Sequence, residues 1–319
     1  MTSLQACLWV GAVGLALTRP LSAQEDKGGA EKLAPITQHL AGLHHTLAAH
    51  KSLSMVVLET GHVELGFGHD DSPDFTGTFQ LFYKGGRFRY SVDYVGAKGT
   101  TYNRDESFDG DSYKSYDRLA ETLTVASKRF LNDIVMCRGH AFFTPFLFLQ
   151  SAFQKDVFAQ LSYDGLTNKD DWEKALTSLP PTVVVEEVSL ENQSYLKVAG
   201  IGKNIDPASD AECLFDVYFA KAPDWYPMKW ERRLLAGGIA CSYSVEEIGF
   251  VQLESGERIP YPRKAILKQY HDGKLRDTER IEVKQIGFDS VGDDDLTIDA
   301  SSAKYLRDLD GDGKLRAVK

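Results

Sequence analysis

Between Phe75 and Ser127 the sequence alternates apolar and polar residues with a period of two, and this stretch limits the possible folds most sharply. Phe79, Leu81 and Tyr83 are separated by polar neighbours, and so are Phe88, Tyr90, Val92 and Tyr94. That spacing defines antiparallel strands with one apolar face and one wet face. Gly85-Gly86 and Asp109-Gly110 supply the positive φ that tight turns require. The stretch reads as four strands, with a polar gap between Gly96 and Ser107. A one-residue slip in register would expose the apolar set and drive Arg87, Arg89 and Asp93 into the core, where unpaired charge is costly.

The same pattern continues downstream. Strands are predicted at Glu212–Ala220, Met228–Leu235, Ile239–Val251, Pro262–Tyr270 and Asp277–Phe288, with turns at Pro223, Gly237-Gly238, Gly256 and Asp272-Gly273. A further strand, Thr182–Leu190, has Val183, Val184 and Val185 together and reads as buried on both sides. The 14 Tyr, 17 Phe and 4 Trp suit sheets better than helices.

A sheet with one apolar face needs a cover. Pro35 fits the first turn of a helix, and Ile36, Leu40, Leu43 and Leu47 then form one stripe on a helix ending near Ser52. A strand follows at Ser54–Gly66. Phe142–Phe153, with Thr144 as cap and Pro145 at the first position, reads as a second covering helix, and Asn168–Leu179 as a third. The fold class is therefore mainly β: one large curved antiparallel sheet, an open half-barrel, with short helices on its concave apolar face.

Residues 1–23 are expected to be an export signal. Leu8–Leu17 is a short apolar run, too short to span a bilayer, and Leu21-Ser22-Ala23 offers small residues before Gln24. Residues 24–32 read as a mobile leader and 33–319 as a single domain, since no break in composition divides them. No transmembrane segment is expected in the mature chain. The net charge of −10 argues against nucleic acid or an anionic membrane surface as partner.

Several motifs invite chemistry, and each has a plainer reading. Six of the eight histidines lie between His39 and His69. His39 and His50 would stand about 16 Å apart along one helix, too far to chelate together, so they read as solvated helix-face residues and no metal site is expected. Asp308, Asp310, Asp312 and Gly313 match the start of a calcium loop, but Lys319 stands where a bidentate glutamate is needed. The segment reads instead as an Asp/Gly turn joining two short strands. Cys213 and Cys241 would lie about 9–10 Å apart, two strands away from each other, and read as buried thiols. A bridge involving Cys137 stays open. No nucleophile–base pair or Gly-framed serine is visible, so no enzyme activity and no cofactor are expected.

Three blocks, in the same order, resemble the periplasmic lipoprotein carrier LolA and its LolA/LolB/LppX-like relatives. They are GTFQLFYKGGRFRY at 77–90, FDGDSYKSYD at 108–117, and Thr144-Pro145-Phe146-Leu147, similar to the T-P-F-x-L that opens a cavity helix. The sequence departs from the family at Lys84-Gly85, where the carrier has arginine beside proline, and in its longer 154–181 segment. The resemblance implies a half-barrel whose apolar concavity holds acyl chains. The expected ligand-facing set is Leu40, Leu43, Leu47, Phe79, Leu81, Phe88, Tyr90, Val92 and Phe146. The implied function is that of an exported, periplasmic or secreted carrier for an apolar small molecule, lipid or lipoprotein acyl chain in the bacterial cell envelope. The alternative is a structural or interaction protein of the envelope, with the same fold and a filled core.

Overall fold

The computed structural model describes residues 27–63, 74–96, 101–127, 145, 183–190, 192–205 and 212–318. Among the described residues a helix, α1 (Lys27–Ala48), precedes fifteen strands. The first six are β1 (Ser52–Val63), β2 (Asp74–Lys84), β3 (Arg87–Val95), β4 (Thr101–Phe108), β5 (Ser112–Asp117) and β6 (Thr122–Ser127). Then come β7 (Val184–Leu190), β8 (Gln193–Ile205), β9 (Glu212–Ala220), β10 (Tyr226–Leu234), β11 (Ile239–Gln252), β12 (Arg258–His271) and β13 (Lys274–Phe288). A 3₁₀ turn at Asp294–Leu296 leads to the short β14 (Tyr305–Asp308) and β15 (Leu315–Ala317).

All fifteen strands belong to one open, curved sheet in the order β15-β14-β6-β5-β4-β3-β2-β1-β13-β12-β11-β10-β9-β8-β7. The pairing of β1 with β13 joins an N-terminal wing, β1 to β6, to a C-terminal wing, β7 to β13. Every pair is antiparallel except β14 with β6. The apolar residues of both wings and of α1 form one core cluster on the inner face.

The turns follow from local chemistry. Gly85 and Gly86 take φ of 55° and 77° between β2 and β3, which a side chain would resist. Asp109 builds the β4–β5 turn by accepting hydrogen bonds from the Asp111 and Ser112 amides at 3.0 and 2.8 Å.

Several expectations are corrected. Phe75–Ser127 holds five strands, because the polar gap contains β4. Its inner face carries Arg104 and Glu106, which break the apolar alternation without breaking the ladder. Helix α1 starts at Lys27, so residues 27–32 are helical and Pro35 lies inside the helix. Leu33, partly buried on the core, extends the apolar stripe one turn upstream of Ile36, which draws the helix past its proline. The helix also ends at Ala48 and β1 begins at Ser52, both earlier than the pattern implies. The strand at 184–190 is an edge strand among the described residues, with Val184 54% exposed, not one buried on both sides, since among those residues only β8 pairs with it. Finally, β8 escapes notice because Gly200 (φ 82°) and the register shift between Ala199 and Ile201 interrupt its period.

The segment after β13 crosses the N-terminal wing from one end to the other. Asp293 pairs with Lys84 and Arg87, the Tyr116 hydroxyl meets Ser302 at 2.6 Å, and Lys304 pairs with Glu121. The last two strands are joined by the expected Asp/Gly turn. Asp308 caps the amides of Asp310 and Gly311, Asp312 pairs with Arg316, and Asp310 accepts from the amide and hydroxyl of Ser127. Cys213 and Cys241 are both buried, on β9 and β11 with β10 between them. Cys137, Phe146, the helix expected at 168–179 and, Pro145 apart, the one expected at 142–153 lie outside the described residues.

Candidate functional site: the inner face of the sheet

Strand register sorts the inner face of the N-terminal wing into rows. Leu53, Tyr83, Phe88, Phe108, Tyr113 and Ala126 stand side by side across β1 to β6. The next row is Met55, Leu81, Tyr90, Glu106, Ser115 and Thr124. The third is Val57, Phe79, Val92, Arg104 and Asp117. Near β1 the rows are wholly apolar, and they turn polar only at β4 and β5.

The described members of the predicted set meet here. Leu40, Leu43 and Leu47 from α1 join Phe79, Leu81, Phe88, Tyr90 and Val92 in one core, each less than 7% exposed. Phe79 stacks on Tyr90 with ring centres 5.9 Å apart, and Phe88 meets Phe108 at 6.0 Å. Burying a leucine contributes about 1.5–3 kcal/mol, so the apolar α1 stripe is a substantial anchor. Thr37 and Thr46 turn their hydroxyls back onto the helix's own carbonyls, at Leu33 and Gly42.

The helix joins β1 through a polar clamp. His50 Nδ1 lies 2.6 Å from Asp289, and the Lys51 amide donates to the same carboxylate at 2.7 Å. Burial would raise the Asp289 carboxyl, but the hydrogen bonds from His50 and Lys51 outweigh it and hold the group below its usual value. His62 pairs with Asp74 at 2.8 Å. His39 is half-buried, and desolvation lowers its pKa despite Asp224. His39 and His50 are thus not the solvated helix-face residues expected, because the apolar stripe carries one toward the sheet and α1 ends before the other. Among the described residues no three metal-binding side chains gather.

The polar patch on β4 and β5 is the part the sequence pattern did not single out. Glu106 is buried on the inner face, its Oε1 3.6 Å from Arg104 Nη1. The Arg104 guanidinium stacks on Tyr102, 4.4 Å from the ring centre. Tyr113 is fully buried beside Glu106 and Ser115. No hydrogen bond of good geometry closes among them. Glu106 Oε2, the Tyr113 hydroxyl and Arg104 Nε are all buried without a partner. Burial pushes the Glu106 carboxyl up, and Arg104 and the neighbouring Tyr113 hydroxyl, which stops short of hydrogen-bond geometry, only partly offset it. Burial, reinforced by Glu106, raises Tyr113 as well. A signal existed: counting back by twos from the Asp109-Gly110 turn gives Phe108, Glu106, Arg104 and Tyr102 on one face.

The C-terminal wing presents an aromatic inner face. Trp230 stacks on Tyr243 at 5.6 Å and meets Phe215 edge-on at 5.4 Å. Among the described residues, no helix is long and apolar enough to cross a membrane.

No protein-family model and no curated protein sequence matches the chain. Solved structures align with much of the chain at low identity and low TM-score. A LolA superfamily protein from Nitrosomonas europaea is 10% identical, with a TM-score of 0.41 over 82% of this chain and 98% of that one. A putative outer membrane lipoprotein-sorting protein domain from Vibrio parahaemolyticus is 9% identical, with a TM-score of 0.41 over 82% and 97%. The lipoprotein LppX of Mycobacterium tuberculosis is 6% identical, with a TM-score of 0.29 over 83% and 98%.

Proposed function

We propose that this protein is a non-enzymatic, exported carrier or binding module for an apolar ligand, and that its inner face holds an acyl chain between α1 and the sheet. Its place is the periplasm or exterior of a bacterial cell, and its cargo is a lipid or a lipoprotein's acyl chains. The observation that carries the reading is the continuous apolar inner face, where Leu40, Leu43 and Leu47 of α1 share one buried core with Phe79, Leu81, Phe88, Tyr90 and Val92. A helix seated by apolar area can shift to admit a chain while the His50 and Lys51 clamp at its end holds. Each buried methylene gains about 0.8 kcal/mol, so eight give about 6 kcal/mol before association costs, enough for micromolar binding.

Mass spectrometry of lipids co-purifying with the protein, together with binding of the neutral dye N-phenyl-1-naphthylamine, tests this. Leu43→Ser and Tyr90→Ser should each weaken dye binding, while Lys114→Glu on the wet face should leave it unchanged, with native circular dichroism in all three. If the folded wild type binds neither lipid nor dye, the filled core of a structural envelope protein is the better account, in keeping with the near-complete burial of these side chains.

A further inference from the structure

We propose that Arg104, Glu106 and Tyr113 form a head-group subsite on the inner face, selective for a neutral, hydroxyl-bearing lipid head of the glycerol type. The inference rests on the reading of that face as an acyl-chain site and adds the class of lipid.

The unpartnered atoms define the guest. Glu106 Oε2 is an acceptor, while Tyr113 O–H and Arg104 Nε–H are donors, and all three are buried. Glu106 and Tyr113 are 2% and 0% exposed, at the border of the apolar rows, where an unpaired polar group is costly. A hydroxyl group both donates and accepts, so one or two of them complete all three. An ester carbonyl would satisfy the donors and leave Glu106 alone. A carboxylate fits worse, because it brings a negative charge next to Glu106. Arg104 is the one cation in these inner-face rows, and Asp117 already stands opposite it on β5. The row from Glu106 through Tyr90 and Leu81 to Met55 is apolar beyond the Tyr90 hydroxyl. It spans three strand spacings, about 14 Å, which is room for an acyl chain running from the head toward β1.

Displacement of N-phenyl-1-naphthylamine from the full chain by 1-monododecanoylglycerol, dodecanoate and dodecane reads this directly. The monoacylglycerol should bind about tenfold more tightly than dodecane, as one or two completed hydrogen bonds provide, and dodecanoate no better than dodecane. Tyr113→Phe should weaken the monoacylglycerol about fivefold and leave dodecane unchanged. Glu106→Gln removes the charge but keeps an acceptor, so it should preserve monoacylglycerol binding and raise dodecanoate binding about tenfold. Equal binding of all three ligands, or a preference for dodecanoate in the wild type, would overturn the subsite and leave the carrier reading intact. Failure of the dye and of every ligand to bind would overturn both.

Discussion

Asp105 and Glu106 are consecutive residues of β4, both buried, and they point to opposite faces of the sheet. Their surroundings differ in kind. On the outer face Asp105 accepts from Ser91, its strand neighbour on β3, and lies 3.3 Å from Arg118 Nε and 3.6 Å from Arg89 Nη2. Arg118 reaches on to Asp93 at 2.7 Å and the Val92 carbonyl at 3.1 Å. On the inner face Glu106 has one arginine at long range and an oxygen with no partner. Equal burial with unequal partnering separates two roles. The outer carboxylate ties β3, β4 and the β5–β6 turn together. The inner one is left incomplete among apolar side chains, as a polar group awaiting a guest would be.

Neutralising the outer acid should give the largest effect. Asp105→Ala leaves two arginines and a serine without their shared acceptor, although both guanidinium groups are about one-third exposed and water can reach them. A loss of about 2–3 kcal/mol is expected in urea unfolding, below the full cost of breaking a wholly buried pair. A loss under 0.5 kcal/mol would show that the outer network is ornamental.

The same kind of change on the inner acid should have the opposite sign. Glu106 has its carboxyl raised by burial, so the native state favours the protonated form more than the unfolded chain does. Its stabilising effect is present below the unfolded value, near 4.5, and is lost as pH rises through the higher native value. Glu106→Gln removes that loss and should stabilise the ligand-free protein by about 1–2 kcal/mol at pH 7 to 8. Thermal melts from pH 8 to pH 4 should show the gain shrinking to nothing near 4.5. Equal destabilisation by Asp105→Asn and Glu106→Gln would erase the distinction between the faces.

How much of this could be read from residues alone follows from the same pair. Phe79, Leu81, Phe88, Tyr90 and Val92 alternate cleanly, so their common face was legible in the sequence, as was the α1 stripe that shares their core. Period-two patterning carries that information because one face is buried and the other wet. At β4 the signal fails for a physical reason: Asp105 and Glu106 are both charged and both buried, so no contrast between faces remains in TYNRDE. Pro35 likewise marks a helix start by propensity, and Leu33 overrides it by packing. Edge strand β7 reads as central because three consecutive valines at 183–185 carry no sign of which partner is absent.

Tyrosine hydroxyls extend the comparison at a smaller scale. Tyr113 and Tyr116 both lie on β5 and are both buried, on opposite faces. The outer hydroxyl, on Tyr116, meets Ser302 at 2.6 Å and helps hold the C-terminal segment where it crosses toward β6. Tyr116→Phe leaves the serine without that partner and should cost about 1 kcal/mol. The inner hydroxyl, on Tyr113, has no partner to lose. Its removal replaces an unsatisfied polar atom with hydrogen at constant shape, so Tyr113→Phe should change stability by less than about 0.5 kcal/mol, in either direction. Paired urea titrations on the ligand-free protein check this. The slope with denaturant should be the same for both variants, because neither alters the surface exposed on unfolding. A Tyr113→Phe loss as large as that of Tyr116→Phe would mean that the inner hydroxyl is already bonded in the folded protein, and Glu106 would then have a partner without any guest.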